Sequence, residues 1–227
     1  MSPPRGLVAL ACDLDRTLVR PGREPSITAR SALRAAHRLG LAVVLTSGRE
    51  YADLRRFSAG LGCVDALVAE DGAVVEAPVG SEPWRRGAGF ARRVRARLGA
   101  VPGIAVGDVV VSVPLSERPT VLGPLRGLRV RLQPNVDRVM ILPPDVTKSA
   151  GVRRALRGLG RGGGTYAAIG DAENDVELLR SATLSAAVAN AIPAVRAVAS
   201  YRCRRAYAAG VAEFVRGPLA ERLRTPE

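Results

Sequence analysis

Two aspartates separated by one residue, Asp13 and Asp15, leave an unbroken apolar run in the segment Asp13-Leu14-Asp15-Arg16-Thr17-Leu18. Carboxylates at the edge of a core are costly unless a metal ion or hydrogen bonds hold them. The alternative is an acidic turn with a capping role. A second acidic cluster, Gly170-Asp171-Ala172-Glu173-Asn174-Asp175, also follows an apolar run and opens a helix. There the alternative is an ordinary helix start, whose dipole favours acids. Two such acidic exits from parallel strands can converge on one hard cation, and oxygen-only donors with a phosphate substrate suit Mg2+. The lone histidine, His37, lies mid-helix among small residues, and the cysteines are scattered, which argues against zinc. A third exit, Thr46-Ser47-Gly48-Arg49, offers hydroxyls, free backbone N–H groups and a glycine. That is a compact seat for a phosphate, or else a capped turn into the next helix.

Lysine occurs once, as Lys148, among 34 basic residues. Where arginine has taken every other basic position, the survivor marks a site that wants a compact ammonium, unless chance put it there. It opens a helix, from which its charge can reach a phosphate and a carboxylate.

The formal net charge is +13, but only 4% of the residues are aromatic and the arginines do not interleave with them, as single-strand binding requires. The charge suits a small anionic partner better than a nucleic acid. Apolar residues make up 47% and charged ones 24%, the balance of a soluble globular chain. No apolar run is long enough to span a bilayer, and Leu7–Cys12 is too short for a secretory signal. Three widely spaced cysteines, Cys12, Cys63 and Cys203, form neither a disulfide framework nor a zinc pattern and predict a reducing, cytoplasmic home. Cys12 sits beside Asp13 among apolar neighbours, as a buried, inert thiol would.

The elements that must position these residues follow from the apolar pattern. Leu7–Cys12, Leu41–Thr46 and Ala66–Ala69 are short apolar runs, the mark of strands buried on both faces of a parallel sheet. Between them the spacing predicts helices over Ser26–Leu39, with Ile27, Leu33, Ala36 and Leu39 buried, and over Tyr51–Ala59. A tight turn at Asp71-Gly72 predicts a hairpin. A helix over 84–99, strands over 109–113, 128–132 and 136–142, and a short helix within 116–125 make a mixed α+β unit. A helix from Ser149, a strand over Thr165–Ile169, a helix over Asn174–Ser181 and two short strands then restore the first pattern. The fold class is α/β: a doubly wound, mostly parallel sheet formed by residues 1–79 and 144–227, with an α+β cap inserted at 80–143.

The order Asp-x-Asp-x-Thr, Ser-Gly-Arg, Lys, Gly-Asp-x-x-Asn-Asp resembles the haloacid dehalogenase superfamily of phosphatases. Its spacing is similar to the Cof-like branch, and Glu70-Asp71-Gly72-Ala73 and Ala187-Val188-Ala189-Asn190-Ala191 resemble segments of that branch. The resemblance implies a phosphomonoester hydrolase that forms an aspartyl-phosphate. Asp13 would be the nucleophile, Asp15 the acid and base, Thr17 a support of that loop, and Ser47 the hydroxyl on the phosphoryl group, or Thr46 in its place. Lys148 would stabilise the oxyanions, with Gly48, Arg49 and Asn174 also around the phosphate. Mg2+ would be held by Asp13, the Asp15 carbonyl and Asp171, with Asp175 as ligand or neighbour. Arg16 stands where the family most often has glycine and is expected to point outward. Asp71 replaces asparagine and is expected to add negative charge at the cleft mouth.

Between residues 80 and 146, eleven arginines face five acids. Arg92, Arg93, Arg95 and Arg97 crowd one helix, and Arg126, Arg129 and Arg131 cluster later. Most of these suit a solvated face, and one or two could read a substrate carboxylate. The short cap is similar to that of archaeal-type phosphoglycolate phosphatases, with sugar and mannosyl-phosphoglycerate phosphatases as alternatives. A small phosphorylated metabolite is the expected partner. A non-catalytic regulator on the same fold, a nucleic-acid binder and a phosphomutase are the competing readings.

Overall fold

The computed structural model describes residues 6–224. The apolar run ahead of the first aspartates is β1 (Leu7–Asp13), with six of its seven residues buried. Next come α1 (Ile27–Arg38), β2 (Ala42–Thr46), α2 (Tyr51–Leu61) and β3 (Ala66–Ala69). β2 and β3 are buried throughout, as strands covered on both faces must be. Ser26 caps α1, its side chain accepting the Ala29 N–H. Ile27, expected in the buried stripe, is exposed; the stripe is Ala29, Ala32, Leu33 and Ala36. Those four share one helix face, and Ile27, two positions ahead, points about 200° away from Ala29.

Beyond β3 the chain makes one 3-10 turn at Glu70–Gly72 and returns antiparallel as β4 (Val74–Glu76). Trp84–Arg85, expected to open a helix, is instead a strand, β5, paired antiparallel with β4. The left-handed Gly87 and Gly89 delay the helix, and α3 begins only at Phe90 (Phe90–Leu98). A second sheet then forms from β6 (Ala105–Val106), β7 (Val111–Pro114), β8 (Arg131–Asn135) and β9 (Arg138–Leu142), with helix α4 (Arg118–Leu122) after β7. Its strands run antiparallel in the order β6-β7-β9-β8. β8 lies three residues beyond the expected 128–132, because a tight turn at Val136 (φ 57°) sets Asn135 opposite Arg138.

The chain re-enters the first sheet through α5 (Lys148–Gly158), β10 (Thr165–Gly170), α6 (Val176–Arg180), β11 (Leu184–Ala187), α7 (Pro193–Val198), β12 (Tyr201–Arg202) and α8 (Tyr207–Phe214). α6 starts after a 3-10 turn at Glu173–Asp175, two residues later than expected. The main sheet has the order β12-β11-β10-β1-β2-β3-β4-β5. It is parallel from β12 to β3 and antiparallel over the last two pairings. This is a doubly wound α/β sheet, and its order reverses at β1, between β10 and β2. The crevice at the carboxyl ends of the strands beside such a reversal is where α/β proteins place ligands. Register levels the three ends there: Asp13 pairs with Thr46 and Cys12 with Ile169, so Asp171 leaves β10 close to the same height. Among the described residues no helix is long and apolar enough to cross a membrane.

Candidate active site

Asp13 ends β1 and is 4% exposed. Lys148, the first residue of α5, lies across from it with Thr147 capping the helix. The Lys148 ammonium donates to Asp13 Oδ1 at 2.6 Å and to Asp175 Oδ1 at 2.7 Å. Asp175 Oδ2 accepts the N–H groups of Asp171 (3.0 Å) and Ala172 (3.1 Å). Both Asp175 oxygens are therefore engaged, and its work is to hold the lysine and the loop after β10. Gly170 makes room for it: a Cβ there would lie 2.6 Å from that of Asp175.

Asp171 accepts from Thr17 Oγ1 at 2.8 Å and from Arg16 Nε at 3.2 Å. Arg16 has φ 61°, and its carbonyl is held by Asn190 Nδ2 at 2.7 Å. The side chain expected to point outward thus folds back onto Asp171, because the left-handed backbone aims it there. Asn190 also accepts the N–H of Tyr207 through Oδ1, a bracing role that the sequence did not announce.

Oxygens of Asp13, Asp171 and Asp175 lie within 4.8 Å of one another. Burial first, then the charge of Asp175, pushes the Asp13 carboxyl well above the usual carboxylate range. The same causes, partly offset by Thr17, Lys148 and Arg16, push Asp171 up to about 6. Burial alone would pull the Lys148 ammonium down, but the charges of Asp13, Asp175 and Asp71 more than reverse it and hold it protonated. One ammonium among several carboxylates leaves excess negative charge, and an all-oxygen donor set with that charge fits a hard divalent cation.

Asp15 is held differently. Arg49 grips it in bidentate fashion, Nη2 to Oδ1 at 2.7 Å and Nε to Oδ2 at 2.8 Å, while Ser47 Oγ donates to Oδ2 at 3.1 Å. Arg49 itself lies over the Phe57 ring at 4.4 Å. Ser47 lines the cleft, whereas Thr46 is fully buried with its hydroxyl unpartnered among the described residues. Asn174 lines it too, donating to Asp71 Oδ1 at 2.8 Å. Asp71 does not stand at the cleft mouth as expected: it is 1% exposed, beneath Asn174 and Gly48, and burial pushes its carboxyl up. Cys12 is fully buried, which raises its thiol far out of the reactive range.

The cleft is a cavity of about 770 Å3 between the strand ends and the second sheet. From the core it is lined by Asp13, Asp15, Ser47, Gly48 and Arg49, and from the β8–β9 hairpin by Asn135, Asp137 and Arg138. The hairpin sits close enough that a Cβ on Gly48 would meet Asn135 Nδ2 at 2.8 Å. None of Arg92, Arg93, Arg95, Arg97, Arg126, Arg129 or Arg131 lines the cavity; the arginine from that sheet that does is Arg138.

Glu70 ties the two units together. Its carboxylate accepts the N–H groups of Asp108, Val109 and Val110, each at 2.8 Å. It is 1% exposed and has φ 50°. Its partners are backbone groups nearly forty residues away, so no side-chain pattern in the sequence could have found them. Burial pushes the Glu70 carboxyl up, and the three donors oppose this. Glu70→Gln turns one acceptor into a donor facing donors and is expected to cost about 1–3 kcal/mol, read as a lower midpoint in urea.

Carboxylates at the ends of neighbouring parallel strands, a buried lysine bridging them and a second unit roofing the cleft define an α/β phosphatase. The chain belongs to the haloacid dehalogenase-like hydrolase family, whose model matches residues 10–83 and 132–215. A phosphoglycolate phosphatase of Methanothermobacter thermautotrophicus is 31% identical over 216 residues, which cover 92% of this chain and 97% of the relative. A phosphoglycolate phosphatase of Metallosphaera sedula is 32% identical over 215 residues, 91% and 96% of the two chains. Among solved structures, a Thermoplasma acidophilum protein superposes with a TM-score of 0.77 at 16% identity, over 95% of this chain and 99% of its own. A sugar phosphatase of subclass IIB gives 0.67 at 19% identity, over 86% and 93%. At such identities the likeness to solved structures is one of fold.

Proposed function

We propose that this phosphatase hydrolyses the monoester of a small phosphorylated acid, with phosphoglycolate the first candidate, through an aspartyl-phosphate and with Mg2+ as cofactor. The observation that carries the reading is the division of labour at Asp13. Lys148 occupies Oδ1, while Oδ2 takes no hydrogen bond among the described residues, and the residue lines the cavity. A carboxylate so held has one oxygen for attack on phosphorus.

In the first step Asp13 Oδ2 bonds to phosphorus as the ester oxygen leaves, taking a proton from Asp15. In the second, Asp15 takes a proton from water, which attacks phosphorus and frees phosphate and the Asp13 carboxylate. Ser47 and the Gly48 N–H, which takes no partner among the described residues, seat the phosphoryl oxygens, and Lys148 offsets their charge. Arg49 sets the direction of Asp15 and must loosen its grip when Asp15 carries a proton, since a bidentate guanidinium binds the carboxylate form. Asp13, Asp171 and the Asp15 carbonyl are the groups to hold Mg2+, with Asp175 bracing them. When bound, the ion would supply charge to offset that of the phosphoryl group. The substrate assignment draws on the relatives, which are phosphoglycolate phosphatases.

The test is phosphate release from a panel of phosphorylated acids and sugars, with Mg2+ and with chelator. Phosphoglycolate turnover that stops on chelation is expected; no turnover of any ester by folded protein with Mg2+ would sink the reading. Thermal stability gives a second check. Asp13 and Asp171 bind protons more tightly when folded than when unfolded, so chelated protein should lose stability as pH rises from about 4 through about 6. Mg2+ competes with those protons. Its stabilisation, about 2.7 kcal/mol at a hundred times its dissociation constant, should be present at about pH 7.5 and largely absent at about pH 5.

A further inference from the structure

We propose that Arg138 is the residue that reads the substrate's carboxylate, making this site selective for phosphorylated acids over neutral phosphate esters of the same size. The inference rests on the reading above, and adds the residue and the discrimination.

Three cations line the cavity, Arg16, Arg49 and Arg138. The first two are spoken for, Arg16 by Asp171 and Arg49 by Asp15 and Asp53. Arg138 has no carboxylate partner among the described residues, even though Asp137 is its neighbour in the chain. It is nonetheless built into place. Nε donates to Ser112 Oγ at 2.9 Å, and Nη2 donates to the carbonyls of Gly103 (2.9 Å) and Ser112 (3.0 Å). These acceptors are neutral, so they orient the guanidinium without cancelling its charge. The remaining nitrogen, Nη1, takes no partner among the described residues. The carbonyl of Gly103 reaches the guanidinium from a left-handed backbone (φ 65°) packed against Pro114, where a Cβ would lie 2.8 Å from Pro114 Cγ. A held, uncompensated guanidinium at the roof, above a floor of phosphoryl-transfer groups, recognises a molecule with an anion at each end. Ser112 is the positioning residue, acting through Arg138.

The experiment compares phosphoglycolate with 2-hydroxyethyl phosphate, which replaces the carboxylate by an alcohol. In Arg138→Gln, kcat/KM for phosphoglycolate should fall about 10- to 100-fold, mainly through KM, and far less for the hydroxyethyl ester. Arg138→Lys should recover part of the loss, and Ser112→Ala should show a smaller shift in the same ratio. An equal loss on both esters, or an unchanged ratio between them, overturns the inference. So does a wild-type enzyme that hydrolyses the neutral ester as well as the acid, and in that case hydrolysis itself stands. If the wild type hydrolyses neither ester nor any other, the proposed function fails and this inference falls with it.

Discussion

Lys148→Met is expected to cost about 3–5 kcal/mol of stability at neutral pH and to remove phosphate release. The lysine side chain is 1% exposed, and its two partners are 6% and 0% exposed. Without the ammonium, the Asp13 carboxylate would face Asp175 with their mutual repulsion no longer bridged, and a proton on Asp13 would relieve it. The loss should therefore be largest above neutrality and shrink as pH falls through the range in which buried carboxyls protonate. Urea melts of both proteins at two pH values measure this. A penalty that does not vary with pH would show that the methionine fails through packing instead. Lys148→Arg keeps the charge but replaces a compact ammonium by a planar fork, in a space closed to 2.6 and 2.7 Å on two sides. It should fold better than the methionine variant and remain inactive.

Asp13→Asn is expected to lower turnover by on the order of 10^4-fold or more, because the amide is a poor nucleophile. The companion measurement separates chemistry from folding. In chelator, asparagine replaces a carboxyl that binds its proton more tightly in the folded state, so the stability slope that Asp13 contributes disappears. The variant should be at least as stable as the parent, and its advantage should grow as pH rises. Substantial turnover in this variant would move the nucleophile elsewhere.

Much of the site could be read from the sequence because its parts lie where strands end. The apolar runs that became β1, β2 and β10 stop at Asp13, Thr46 and Gly170, and buried parallel strands leave few other places for acids to go. Lys148 stood out through composition alone. What stayed hidden depends on contacts between distant parts of the chain. Trp84–Arg85 is a strand only because β4 lies beside it. Leu128, Val130 and Leu132 alternate with polar residues and drew the expected strand to 128–132, whereas pairing with β9 sets β8 at Arg131–Asn135. Glu70 and Arg138 act mostly on backbone groups, which have no signature in residue type. Asp71 looked like a surface acid because a turn was expected to face water, yet Asn174 covers it.

Glu70 grips the chain at Asp108–Val110, immediately before β7. At that end of the strand Val111 pairs with Ile141; at the other end Pro114 pairs with Arg138, beside the hairpin tip that roofs the cavity. The grip and the Pro114 end thus stand about 13 Å apart along one strand. A pivot at one end makes the small sheet a lever: a rocking of about 10° carries Arg138 by roughly 2 Å, while the backbone at the grip barely moves. Two ångströms is the difference between a salt bridge made and one broken. Loosening the grip, as Glu70→Gln would, therefore blurs the aim of a side chain on the far side of the unit, with no atom of the cavity changed.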